Sequence, residues 1–182
     1  MLIGLDIHGV ICDFVGSLVR QYKLDFPRHI VQPVTAWDLA NFFPIGKKIY
    51  SYYSLRRPRQ VFYGAKPFLW ACDFVRRLKS DGHDVWIITD VPQNAQTLIL
   101  KWLQDHQIPY DHLSFTNKKH HVRCDVYLDD CPDVLKDLYL KTDGIVVCMD
   151  RPWNQNVRGG YRVKSYDEFL ALLSSTHKLG LA

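Results

Sequence analysis

The chain begins Met1-Leu2-Ile3-Gly4-Leu5-Asp6-Ile7-His8-Gly9-Val10. Residues 2–7 form an apolar run of strand length with one carboxylate near its end. Gly9 follows, the residue type that lets a chain turn tightly at little steric cost. Similar runs recur downstream. Residues 85–89, Val-Trp-Ile-Ile-Thr, lead into Asp90, and residues 126–128 lead into Asp129-Asp130. Residues 145–149 give a fourth run, and residues 112–115 a shorter candidate. Helical periodicity lies between and after them, at residues 68–80, 93–107, 132–141 and 166–174. Gly82, Pro92, Pro109 and Gly144 punctuate the segments. Alternating short strands and amphipathic helices predict an α/β fold, a parallel sheet with helices on both faces. Ligands of such sheets bind at the carboxyl ends of the strands.

Residues 14–66 break this alternation, for they contain no buried-type strand. They hold eleven aromatic residues, from Phe14 to Tyr63. The expected organisation is an α/β core of residues 1–13 and 67–182, with residues 14–66 inserted as a small helical cap. Most of these aromatics should form the insertion's own core, leaving one or two to face a ligand.

Composition narrows the function. The chain has 182 residues, 47% hydrophobic and 23% charged, which excludes a disordered or low-complexity protein. A net charge of +4 suits a small anionic substrate and is too weak for a nucleic-acid footprint. No apolar run reaches membrane-spanning length, and the first residues lack the pattern of a signal peptide. Five cysteines, an odd number with no Cys-x-x-Cys, argue against a disulfide framework or a cysteine zinc site. A cytoplasmic, reducing setting is the expectation.

The strand ends carry the chemistry. In a parallel sheet Asp6, Thr89 and Asp129-Asp130 converge at one edge, joined by a lysine from Lys118-Lys119, just before the run at 126–128. Such a set suits metal-assisted phosphoryl transfer. Carboxylates would hold a hard cation such as Mg2+, a carboxylate can attack phosphorus, and a hydroxyl with an ammonium can stabilise the transferring group. Taken singly, each has an ordinary explanation. A strand-end Asp is often a helix cap, and a lone Thr or Lys means nothing.

The ordered set resembles the haloacid dehalogenase (HAD) superfamily of phosphohydrolases, and within it the 5'(3')-deoxyribonucleotidase branch. Asp6-Ile7-His8-Gly9-Val10 matches the first motif, Thr89 the second, a lysine the third and Asp129-Asp130 the fourth. The run through Val10-Ile11-Cys12-Asp13-Phe14, the Phe26-Pro27 pair, the spacing from Lys119 to Asp130, and Arg151-Pro152-Trp153-Asn154 followed by Tyr166-Asp167-Glu168-Phe169 carry the closer likeness. The resemblance spans nearly the whole chain and is weakest over residues 32–59. It implies a Mg2+-dependent phosphomonoesterase acting on nucleoside monophosphates, with a small-molecule substrate and neither a membrane nor a nucleic-acid partner. By it Asp6 is nucleophile and metal ligand, and the His8 carbonyl is a second ligand. Asp130 or Asp129 completes the metal set, Thr89 and Lys119 hold the phosphate, and Phe14 lies beside the base.

His8 departs from the family pattern, which has a second Asp at this position to protonate the leaving oxygen and later activate water. His8 can do the same work, since an imidazole titrates near 6.5. It can instead slow turnover, leaving a phosphate- or nucleotide-binding protein, or it can be a packed structural residue. A HAD phosphatase for a sugar phosphate or a nucleic-acid phosphate end is the other alternative. The remaining histidines lack metal spacing, and His120-His121 should point apart on a strand. Arg56-Arg57-Pro58-Arg59 is either solvated surface or an electrostatic guide for nucleotides. Asn154 and Arg158 either reach the cleft or shape a loop.

Overall fold

The structure, a computed structural model, describes residues 1–178. Six parallel strands form one sheet: β1 (Leu2–Leu5), β2 (Asp84–Thr89), β3 (His112–Phe115), β4 (Val126–Asp129), β5 (Ile145–Met149) and β6 (Tyr161–Val163). Their order is β3-β2-β1-β4-β5-β6. The chain builds outward from β1 to β3, then returns to place β4 on the free side of β1. In this order the direction of winding reverses between β1 and β4, and a crevice opens there beyond the carboxyl ends. The register sets Leu5 beside Ile87 and Leu128, so Asp6 leaves the sheet level with the end of β4. The Asp6 N–H donates to the Leu128 carbonyl at 3.0 Å.

Helices cover both faces, as apolar strands require. On one face α3 (Ala71–Ser80), α4 (Gln93–Asp105) and α6 (Tyr166–Lys178) deliver Phe74, Leu78, Ile99, Trp102 and Phe169 against Ile3, Leu5, Ile87 and Val147. On the other, α5 (Pro132–Lys141) packs Leu135 and Leu138 against Ile88, Tyr127, Val146 and Cys148. Pro132 starts α5, where a missing N–H is harmless. Several boundaries differ from expectation: β1 ends at Leu5 rather than at residue 7, α4 at Asp105 rather than at residue 107, and α6 runs on to Lys178 rather than ending at residue 174. The helix expected from residue 68 begins at Ala71, because Trp70 takes a left-handed conformation (φ 67°) ahead of it. Strand β6 was not expected. It is three residues long and mostly exposed, so it leaves no apolar run to read.

Residues 14–66 contain no strand. They form α1 (Phe14–Asp25), the short α2 (Lys48–Ser51) and two π-helical turns, Tyr52–Arg56 and Arg59–Tyr63. Asp13 caps α1, its carboxylate accepting from the Gly16 N–H at 2.8 Å. Leu18, Tyr22, Phe43, Ile49, Tyr52 and Val61 form a separate apolar cluster. The segment's two ends are tied together, Asp13 N–H to the Lys66 carbonyl and Phe68 N–H to the Ile11 carbonyl, both at 2.9 Å. Among the described residues no helix is long and apolar enough to cross a membrane.

Candidate active site

Asp6 lies in the turn that follows β1. The Ile7 carbonyl accepts from the N–H groups of Ile11 and Cys12, both at 2.8 Å, folding residues 7–12 into a tight loop. Gly9 holds a φ of +78°, and a Cβ there would run into the Asp130 carboxylate. Conformation and close approach both demand glycine. Thr89 ends β2 and is fully buried. Lys119 begins the single 3-10 turn Lys119–His121 ahead of β4. Asp129 ends β4 and Asp130 follows it. These five side chains are all buried. The Lys119 ammonium lies 2.7 Å from Asp6 Oδ1 and 2.7 Å from Asp129 Oδ2. The Asp129 contact is an aligned hydrogen bond, whereas the Asp6 contact is an ion pair whose angle falls outside hydrogen-bond geometry. Lys118 is exposed, so the structure brings Lys119 to the carboxylates and leaves Lys118 outside.

Asp6, Asp129 and Asp130 place one carboxylate oxygen each within 4.8 Å of one another. A single lysine faces these three, a charge imbalance that burial makes costly. Burial first, then the charges of Asp6 and Asp129, pushes the Asp130 carboxyl well above the ordinary range. Burial likewise raises Asp129, with Lys119 opposing it. Burial alone would lower Lys119, but the carboxylates of Asp129 and Asp6 outweigh it and hold the ammonium above its usual range. The donor set fits a hard divalent cation: oxygen ligands only, surplus negative charge, and at Asp130 Oδ1 a buried oxygen without a hydrogen-bond partner. Thr89 Oγ1 and His8 Nε2 are also buried and unpartnered. Buried polar atoms are ordinarily satisfied, so three orphans at the sheet's carboxyl edge mark a place that a ligand completes.

Residues 1–178 match the model of the family described as "5' nucleotidase, deoxy (Pyrimidine), cytosolic type C protein". The chain belongs to this nucleotidase family. It is accordingly a phosphomonoester hydrolase of nucleotidase type. A Chlorobaculum tepidum protein named "Putative 5'(3')-deoxyribonucleotidase" is 28% identical over 150 residues, covering 76% of this chain and 73% of that one. A haloacid dehalogenase-like family hydrolase from Streptococcus pneumoniae superposes with a TM-score of 0.66 at 13% identity, covering 94% of this chain and 97% of the other. A Bacillus subtilis "putative HAD-hydrolase", solved bound to magnesium, gives 0.64 at 13% identity over 94% and 97% of the two chains. At such identities the two structures are likenesses of fold alone.

A cavity of about 260 Å³ extends from Asp6 and Lys119 towards residues 14–66. Asp6, His8 and Lys119 stand at its polar end, and Val34, Leu39 and Trp37 line its apolar walls. Five aromatics of the 14–66 segment reach it: Phe14, Trp37, Tyr50, Tyr53 and Phe62. The expectation of one or two is therefore corrected. The wide π-helical turns present Tyr53 and Phe62 inward, a placement no simple periodicity predicts. The His8 ring packs edge-on against Phe14 at 5.0 Å and Phe62 at 5.4 Å while also lining the cavity. Burial, then the Lys119 charge, lowers its pKa to about 3. His120 and His121 do not point apart. They sit in a 3-10 turn rather than a strand, and their rings pack edge-on at 4.4 Å.

Two residues beside the carboxylates were not singled out as site candidates. Trp153 Nε1 donates to Asp130 Oδ2 at 2.7 Å. Asp90, next to Thr89, lines the cavity. Asn154 is buried and donates to the carbonyls of Asp130 and Met149, so it shapes the loop beneath the site. Arg158 turns away to the Gln155 carbonyl. Arg57 pairs with Asp25 at 2.7 Å. The only sequence signal for Trp153 was its place in the Arg151–Asn154 stretch after β5.

Proposed function

We propose that the protein hydrolyses nucleoside monophosphates through an aspartyl-phosphate on Asp6, with Mg2+ as its cofactor, deoxyribonucleotides being the favoured class. The observation that carries this is one cavity in which Asp6, His8 and Lys119 face an aromatic wall, with the buried Asp129 and Asp130 carboxylates within 4.8 Å of that of Asp6. The family and its Chlorobaculum relative supply the substrate class. Asp6, Asp130 and the His8 main-chain carbonyl would hold the cation, with Asp129 as their partner through Lys119. When bound, the metal screens the anionic nucleophile from an anionic phosphate and draws charge from the phosphoryl oxygens.

The chain's own residues do the rest. The Asp6 carboxylate attacks phosphorus, and the bond to the ribose oxygen breaks. Thr89 Oγ and Lys119 Nζ donate to the phosphoryl oxygens as charge develops there. His8 Nε2 gives a proton to the departing oxygen and takes one back from the water that opens the aspartyl-phosphate, ending as it began. Burial and the Lys119 charge hold the ring neutral before substrate binds, so it must take up a proton as the anionic phosphate arrives beside it before it can give one to the departing oxygen. Phe14 lies beside the base. Residues 14–66 act as a cap that excludes bulk water, a role supported by their separate apolar cluster and tied ends. All five cysteines are free, which favours a cytoplasmic, reducing workplace.

The test is phosphate release with and without Mg2+ from deoxy- and ribonucleoside monophosphates, sugar phosphates and a 5'-phosphorylated oligonucleotide. Metal-dependent turnover of the mononucleotides is expected. Turnover confined to sugar phosphates or oligonucleotide ends, or none at all, would refute the reading.

A further inference from the structure

The three site carboxylates have six oxygens, and the protein itself occupies most of them. Asp129 is fully engaged, Oδ2 by Lys119 at 2.7 Å and Oδ1 by the Cys131 N–H at 2.9 Å. Asp6 has Oδ1 against Lys119. Asp130 has Oδ2 against the Trp153 indole at 2.7 Å, while its Oδ1 is buried and unpartnered. Each candidate ligand is thus reduced to one free oxygen at most. The distinction matters between the two common hard cations. Calcium takes six to eight oxygens and accepts carboxylates that bind through both, whereas magnesium demands octahedral geometry and uses one or two carboxylates with waters.

We infer that Trp153 is a positioning residue that keeps Asp130 to a single free oxygen and thereby favours magnesium over calcium. The inference rests on the reading of Asp130 as a metal ligand. The loop that carries the indole is held in place from several sides. Neighbouring Asn154 donates to the carbonyls of Asp130 at 2.9 Å and Met149 at 2.8 Å. Its own amide oxygen accepts from the Arg151 N–H at 3.0 Å and from Arg162 on β6 at 2.9 Å. Arg151 Nε donates to the Gly9 carbonyl at 2.6 Å and its guanidinium stacks over Phe68 at 4.3 Å. The loop after β5 is therefore tied both to the turn that carries Asp6 and to Asp130 itself. A donor fixed in this way cannot follow Asp130 if the carboxylate rotates to offer both oxygens. That rotation breaks the bond and strands a partly buried N–H. Outer partners of this kind are ordinarily worth 10- to 100-fold in metal affinity.

The experiment is calorimetric titration of the metal-free protein with Mg2+ and with Ca2+, for the native chain, W153F and D130N. The native chain is expected to bind Mg2+ more tightly than Ca2+. W153F keeps an aromatic ring and loses the donor. Its preference for Mg2+ over Ca2+ should fall about tenfold or more, Mg2+ weakening while Ca2+ holds or tightens. W153M, also without a donor, carries the same comparison if W153F does not fold. A native chain that binds Ca2+ as tightly as Mg2+ overturns the inference without any variant. So does a variant that keeps the native ratio, or one that weakens both metals alike as general loosening would. D130N separates the two levels. Loss of both metals supports the ligand reading, and native Mg2+ affinity in D130N refutes that reading whatever Trp153 does.

Discussion

In the proposed mechanism Thr89 trades stability for function. Its hydroxyl is buried without a partner, and such a group costs about 1–3 kcal/mol. Thr89→Val keeps the shape and removes the orphan. The variant should melt higher than the native protein while kcat falls at least about tenfold, as loss of one transition-state donor implies. A variant both less stable and fully active would show that Thr89 serves the core alone. Asp6→Asn makes the complementary case. It removes one of three crowded carboxylates, so the metal-free protein should lose little stability. Activity should fall by at least about 10³-fold, the scale seen when a covalent nucleophile is lost. An Asp6→Asn protein with even a tenth of native phosphate release would sink the covalent mechanism. At this scale the sequence was legible in placement: Thr89 and Asp129 end their strands, and Asp6, Asp129 and Asp130 meet at one edge of the sheet. It was silent on Trp153, because the indole reaches Asp130 through a loop whose path depends on Arg162 and Asn154.

The elements of the 14–66 segment are joined by polar ties as well as by apolar contact. Asp25, the last residue of α1, accepts from Arg57 Nε at 2.7 Å, Tyr52 Oη at 2.8 Å and Gln21 Nε2 at 3.1 Å. The Arg57 bond first, with those of Tyr52 and Gln21, holds the Asp25 carboxyl below its ordinary range. A carboxylate depressed in the folded state adds stability above its unfolded pKa, near 3.9, and loses it as pH falls through the folded value. Asp25→Asn should therefore destabilise the protein by about 1 kcal/mol at neutral pH, a figure kept small because Arg57 is partly solvated. The difference from the native protein should shrink towards zero as pH drops below about 3. Denaturant melts of both proteins across pH 2–7 read this, and a difference unchanged at low pH would remove the charge from the explanation. The arginine run at residues 56–59 shows where the sequence stopped. Its composition suited either solvent or nucleotides, and neither reading placed Arg57 on Asp25 or Arg59 beside the Tyr63 ring. Those placements come from the two π-helical turns, which shift side chains off the ordinary helical faces that periodicity reads.

For the whole molecule, strand and helix alternation was enough to predict a parallel sheet with ligands at its carboxyl edge, because buried strands must be apolar throughout. The strand order was not legible, since the return from β3 to β4 depends on which edge of β1 is free. That return makes one crevice of Asp6 and Asp129-Asp130, and the crevice limits the substrate. The chain carries a net charge of +4, yet the cavity does not share it. Its charged lining residues are Lys119, Asp6 and Asp90, and Lys119 is already paired with two carboxylates. One phosphate can be accommodated there together with a cation, but a second would meet Asp90 with no counter-charge. A cavity of about 260 Å³ also leaves little room beyond one nucleoside and one phosphate. For a given deoxynucleoside, kcat/KM should therefore fall by at least about tenfold from the monophosphate to the diphosphate, each tenfold step being about 1.4 kcal/mol of differential binding. The triphosphate should be poorer still. Steady-state phosphate release from the three compounds, at a free Mg2+ concentration held constant, decides it. Equal turnover of mono- and diphosphate would mean that neither Asp90 nor the cavity's dimensions set the substrate.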